Sequence, residues 1–240
     1  MQEQYPQKPG IDFILKQAFF YWNKTLVYQL LFSIIFLTVF FSALFFFAGL
    51  FGIWEYNREL QLALEKGFEQ YVEKSQEIGK TKNAVYFVYS CFGIFAFLYP
   101  LNVGFFQIYR KIDLKESFGV NDLFAGYNGL NFFRYVSYFI FWFLVYLMIM
   151  QTLILPIIWV LGTLFVAPLM FFQNKTIFEG IALNWKALKM YFIEILVCTI
   201  VAVLFKYVGF AIFLVGALFT FPFWNAMIYS LYKIIFTEKT

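Results

Sequence analysis

Long apolar runs alternate with short polar segments along this chain, and the spacing predicts helices that cross a bilayer. The runs are Thr25 to Trp54, Ala84 to Tyr109, Tyr135 to Phe172, and Met190 to Tyr232. One span takes about 20 residues at ~1.5 Å rise each. The first two runs are one span apiece. The third holds 38 residues, about 57 Å as a single helix against a ~30 Å hydrocarbon core. It must fold back, and Leu155-Pro156 near its middle is where proline would end a helix. The fourth holds 43 residues and is interrupted by Lys206. A lysine costs about 2.5–3.5 kcal/mol at mid-bilayer but little among the headgroups, so a turn is expected there. The prediction is an all-α polytopic bundle forming one integral membrane domain over residues 1–240, with spans at about 25–54, 84–109, 135–154, 157–172, 190–205 and 208–232. Re-entrant bends at 155–156 and 206 would satisfy the same parity.

The polar segments carry their own patterns. Ile11, Ile14, Leu15, Ala18, Phe19 and Trp22 recur at helical spacing within residues 1–24, ahead of the first span. Val120, Leu123, Phe124, Tyr127 and Leu130 do so ahead of the third, where Gly126 and Gly129 weaken a helix. Phe178, Ile181, Ala182, Trp185 and Leu188 do so ahead of the fifth. Such stripes suit helices lying in the interface plane. The even spans each contain a proline, at Pro100, Pro168 and Pro222. A unit of interfacial helix, span, and span with proline therefore occurs three times, as a degenerate repeat of helical hairpins. The loop at 55–83 carries an i,i+4 stripe of Leu60, Leu64, Phe68 and Val72 beside Glu65, Glu69, Glu73 and Glu77, which predicts one amphipathic helix.

Charge gives the orientation. Twelve of the 18 basic residues lie in the N-terminal segment, the stretches around 110–134 and 175–189, and the C-terminal segment. Positive residues stay cytoplasmic, which places both termini inside and the 55–83 loop outside. Arg134 and Lys175 flank the third run and share a side only if the chain crosses twice. The first apolar run is twice the length of a signal-peptide core, so it is expected to be retained.

Composition narrows the chemistry. The chain is 62% hydrophobic and 13% charged, with a mean hydropathy of +0.73, far less charge than the ~25% of a soluble domain. The net charge of +4 comes from scattered flanking lysines rather than a basic patch, so no nucleic acid is expected. There is no histidine, which removes His-ligated zinc, iron and haem, and Ser-His and Cys-His nucleophile pairs. Every aspartate lies outside the apolar runs, and Cys91 and Cys198 are too few for a thiolate metal site. No catalytic residue, cofactor or metal is expected, and the chain reads as a non-enzyme.

The remaining candidates are polar or hinge positions. Asn102 and Asn225 follow Pro100 and Pro222 closely. A helix proline frees the carbonyl four residues back, and an amide can satisfy such groups. That makes these residues structural glue or, with Pro168, the lining of a proline-hinged polar pocket on the axis of three hairpins that accepts a small or lipidic ligand. Glu194 and Lys206 are the ionisable residues inside runs. They either snorkel to the headgroups or mark a polar path, and at twelve residues apart they diverge by about 120° on a helix. The outer glutamates form a solvated helix face or a weak divalent-cation collector.

Ala167-Pro168-Leu169, the stretch Phe178 to Lys189, the glycine-spaced Gly209 to Gly216, and Pro222 through Tyr229 and Tyr232 carry a resemblance. Over the last 75 residues or so the chain is similar to uncharacterised bacterial polytopic proteins related to the membrane domain of glycerophosphoryl diester phosphodiesterases. The resemblance implies a six-helix inner-membrane fold with no assigned reaction, and no segment here resembles the soluble phosphodiesterase domain. The chain also resembles sequences labelled carotene oxygenases, whose iron needs the histidines missing here. By analogy the threefold layout is similar to the mitochondrial carriers. Their charged residues after the proline are replaced by Leu101-Asn102, Leu169-Met170 and Phe223-Trp224. The expected function is binding or organising membrane lipids or partner proteins; the alternative is transport of a small or lipophilic solute.

Overall fold

The computed structural model describes residues 10–211 and 213–237, with no strand among them. Five helices are long and apolar enough to cross a membrane: Leu26–Leu50, Lys82–Asp113, Leu130–Ile149, Leu155–Gln173 and Phe192–Ala211. Their outward faces carry large apolar side chains such as Phe46, Met148 and Ile193. In lipid that surface is stable, because the outward face need not be polar and every helix satisfies its own backbone. The result is an all-α helical membrane bundle.

The chain divides into two compact units, one of residues 1–34 with 99–240 and one of residues 35–98. The smaller unit takes the far part of α2 (Leu26–Leu50), then α3 (Tyr56–Lys66), α4 (Phe68–Gly79) and α5 (Lys82–Leu98). Phe40 packs on Phe95 and Phe51 on Tyr86, so α2 and α5 run as a hairpin. The single helix expected over 55–83 is instead two, packed on each other. Gly67 between them has φ +134°, a conformation that side chains other than glycine rarely adopt. Lys74 on α4 reaches Glu59 on α3 at 2.9 Å and Glu77 at 3.0 Å. Glu59 first, then Glu77, holds its ammonium pKa above the ordinary lysine value.

The larger unit begins with α1 (Ile11–Lys24); the part of the expected 1–24 helix before Gly10 lies outside the described residues. It continues through α6 (Leu101–Asp113), a 3-10 segment (Val120–Tyr127), α7 (Leu130–Ile149), α8 (Leu155–Thr163), α9 (Val166–Gln173), α10 (Ile177–Met190), α11 (Phe192–Ala211), α12 (Phe213–Thr220) and α13 (Phe223–Phe236). The third apolar run does fold back. The Arg134 guanidinium donates to Asn174 Oδ1 at 2.6 Å and to the Lys175 carbonyl, so the start of α7 and the end of α9 meet. The turn spans residues 150–154, and Pro156 sits in the first turn of α8, where its missing N–H costs nothing.

The turn in the fourth run is not at Lys206. Helix α11 continues past it to Ala211, and α12 folds back along it so closely that a Cβ on Gly209 would lie 2.8 Å from the Ala217 backbone. Lys206 stays helical because its charge has a place to go, over the Phe221 ring at 4.6 Å from the centroid.

The approach segments pack in a cyclic order. Helix α1 packs on α13, the 3-10 segment on α6, and α10 on α8 and α9. Each lies on the proline-bearing stretch of the preceding hairpin, and the first closes onto the last. The segment over 120–127 is 3-10 rather than the α-helix its stripe suggested, and the glycines explain it. A Cβ on Gly126 would lie 2.2 Å from the Pro100 carbonyl oxygen, and one on Gly104 2.1 Å from that of Leu123. Backbone packs on backbone here, which leaves no room for the side chains of a regular turn.

Helix α10 opens with a capping box: the Thr176 hydroxyl accepts from the Glu179 N–H, and the Glu179 carboxylate accepts from the Thr176 N–H at 2.8 Å. The Thr176 backbone N–H, then its hydroxyl, holds the Glu179 pKa below the usual carboxylate range. A depressed folded pKa contributes stability that is present above the unfolded value and lost as pH falls through the folded one. Acidification is therefore expected to fray the first turn of α10, and Thr176→Ala to do so at neutral pH, at about 1 kcal/mol. Faster amide exchange confined to residues 177–181 is the readout.

Candidate functional site

Each proline-bearing stretch is interrupted, at Tyr99-Pro100, at Leu164-Phe165 and at Phe221-Pro222. The break in the fourth span precedes Pro168 rather than coinciding with it. Pro168 is the third residue of α9, a position where an N–H has no helical partner anyway.

Broken helices leave backbone groups to be satisfied, and the larger unit does so with side chains. Pro222 frees the Leu218 carbonyl, which accepts from Ser33 Oγ at 2.6 Å, and the next carbonyl, Phe219, accepts from the Trp22 indole at 2.8 Å. At the second break the buried Asn184 of α10 does both jobs. Its Oδ1 accepts from the Phe165 N–H at 2.8 Å, and its Nδ2 donates to the Leu161 carbonyl at 2.9 Å. At the first break Asn102 Nδ2 donates to the Tyr99 carbonyl at 3.1 Å, and its Oδ1 accepts from Asn225 Nδ2 at 3.1 Å.

The three breaks surround a cavity of about 290 Å³. Tyr99, Asn102 and Phe106 line it from the first, Thr163, Leu164 and Ala167 from the second, and Trp224, Asn225 and Ile228 from the third, with Trp142 closing it from α7. Its polar groups are mostly spent on one another. Thr163 Oγ1 donates to the Trp159 carbonyl at 2.6 Å and accepts from the Trp142 indole at 2.8 Å, while the Asn102–Asn225 amides pair. No carboxylate, amine or thiol lines the cavity; its hydroxyls are those of Tyr99, Tyr138 and Thr163. Most of its lining is aromatic or aliphatic. A second cavity of about 220 Å³ shares Asn102, Trp224 and Asn225 with it and reaches Lys206 and Tyr207.

The candidates from sequence therefore separate. Asn102 and Asn225, 123 residues apart, are brought into contact on the cavity wall. Pro100, Pro168 and Pro222 are buried at or beside the breaks. Glu194 stands apart, half-buried in the first turn of α11 and lining none of these cavities, where a carboxylate favours the helix dipole. Sequence reasoning missed Asn184, Ser33, Trp22 and Thr163. For Asn184 a signal existed: it shares i,i+4 and i,i+7 spacing with Gly180 and Ala187, the face α10 buries, whereas Phe178 and Trp185 of the apolar stripe stay exposed.

Fold and cavity together define a multi-pass helical membrane protein. No protein-family model, curated protein or solved structure matches the chain.

Proposed function

We propose that this chain is a non-catalytic protein of a bacterial inner membrane that binds a lipid or another lipophilic molecule between its three broken helices. The supporting observation is the cavity itself, aromatic and aliphatic on nearly every side with its few polar groups paired. The reading includes six spans with both termini cytoplasmic, the sixth being α12 and α13 in series across the Phe221-Pro222 break, and the charge distribution supports that orientation. The resemblance to the phosphodiesterase-related membrane proteins is part of the same proposal and implies no reaction.

Extraction of the full chain into lipid nanodiscs, followed by mass spectrometry of what co-purifies, tests it. One enriched lipophilic species is expected with the native chain. Ala167→Phe, which places a ring inside the cavity, is expected to lose it. An unchanged lipid profile in that variant overturns the proposal.

A second reading is transport of a lipophilic solute. It draws on the neighbouring cavity that shares Asn102, Trp224 and Asn225. If the Asn102–Asn225 pair is a partition between the two, Asn225→Ala is expected to change the flux of such a solute in proteoliposomes while the protein stays folded. Equal flux with and without protein would end this reading.

A further inference from the structure

A third cavity, of about 360 Å³, lies where α6, α9 and α13 end. Its lining includes Arg110, Asp113, Gln173, Tyr232 and Lys233. We propose that this cavity is a binding site for a phosphate-bearing anion. The argument is an inventory of donors and acceptors.

Asp113, the one carboxylate in the lining, already accepts three hydrogen bonds. Its Oδ1 accepts from Tyr21 OH at 2.6 Å and from Lys233 Nζ at 2.9 Å, and its Oδ2 accepts from Tyr229 OH at 2.7 Å. Its charge is matched by that of Lys233. Arg110, an exposed residue, adds a second positive charge to the same cavity, with no ion pair or side-chain hydrogen bond among the described residues. Tyr232 is 2% exposed, and its hydroxyl accepts from Gln173 Nε2 at 3.3 Å. That contact uses one donor of the two groups. The phenol proton remains unspent, and turning the amide over would free its N–H instead. Lys233 has spent two of its three N–H bonds, on Asp113 and on Tyr21 OH at 3.2 Å.

The cavity thus has a net positive lining and more donors than acceptors, including one on a fully buried side chain. The complementary ligand is compact, negative and rich in acceptor oxygens. A phosphate fits, and the planar guanidinium fork of Arg110 suits two of its oxygens at once. Two sources share that chemistry: the headgroup of an anionic lipid, with Leu114 and Phe172 as an apolar wall beside it, and free phosphate. The competing account is that Arg110 and Lys233 only complement helix C-termini and the headgroup region. It predicts no saturable ligand.

The test uses the full chain in phosphatidylcholine nanodiscs with and without phosphatidic acid, read by native mass spectrometry and by inorganic phosphate titration. Phosphatidic acid is expected to be retained over phosphatidylcholine, and Arg110→Gln to weaken retention about tenfold, the loss of a charge-assisted contact. Tyr232→Phe, which removes only a hydroxyl, is expected to weaken it less. Displacement by inorganic phosphate, or binding of phosphate alone, identifies the free ion as a ligand; retention without displacement identifies the lipid. Binding of neither, or an Arg110→Gln variant that binds as the native chain does, overturns the proposal. The site is separate from the central cavity, so Ala167→Phe is expected to leave this binding intact, and the two readings fail independently.

Discussion

Replacing Asn184 with alanine is expected to destabilise the protein by about 2–6 kcal/mol, through two backbone groups left without partners. The amide is fully buried and spans the break between α8 and α9, accepting from the Phe165 N–H and donating to the Leu161 carbonyl. Neither group has a helical substitute, because the break is what frees them. Each costs about 1–3 kcal/mol when buried unpaired, and no polar neighbour replaces the amide among the contacts described. Asn184→Asp sharpens the test. It keeps an acceptor for Phe165 but removes the donor to Leu161 and adds a buried charge, so it is expected to be at least as damaging. Unfolding of the nanodisc-embedded protein gives the measurement. An Asn184→Ala variant within about 0.5 kcal/mol of the native chain would mean that the break is held by something else.

The second large effect is expected at the glycines between α6 and the 3-10 segment. Gly126→Ala places a methyl group 2.2 Å from the Pro100 carbonyl oxygen, and Gly104→Ala places one 2.1 Å from the Leu123 carbonyl oxygen. In both cases the obstacle is backbone, which cannot rotate away like a side-chain tip. The two segments must separate, at about 1–3 kcal/mol or more for each substitution. Gly119→Ala serves as the control. It lies one residue before the same 3-10 segment, with extended backbone and open space around its Cβ, and is expected to change stability by less than about 0.5 kcal/mol. If the proposed lipid site is correct, Gly126→Ala is also expected to reduce the co-purifying lipid, because the displaced Pro100 adjoins Tyr99 and Asn102 on the cavity wall. Equal stability of Gly126→Ala and Gly119→Ala would contradict the packing described.

Much of the site was visible before any fold was known, but as separate parts. Pro100, Pro168 and Pro222 marked the interrupted helices, and the polar residues after two of them marked places where freed carbonyls need partners. The choice of partners was not visible. Asn102 gives its amide to the Tyr99 carbonyl rather than to that of Ala96, four residues before Pro100, and the Leu218 carbonyl takes the hydroxyl of Ser33, 185 residues away. Asn102 and Asn225 pair with each other across two different hairpins. The stripe read on α10 divides: Phe178 and Trp185 are exposed, whereas Leu188 is buried with Gly180, Asn184 and Ala187 on the face that packs. Gly126 looked like a weakness in a helix; in the fold it is what allows the backbone of Pro100 to come close.

The sequence by itself determined the environment and the material: apolar runs too long for a soluble fold, helices as the means of satisfying backbone in lipid, prolines that interrupt three of them, and a chemistry without histidine. The tertiary structure decided which faces meet, where the turns fall, and which polar groups converge on a cavity. The physical reason lies in the solvent. In water the core-facing side of a helix is marked by its apolar stripe. In lipid both sides are apolar, as along α2, so small residues and a few hydrogen bonds choose the interface, and those become legible only once the helices are in place.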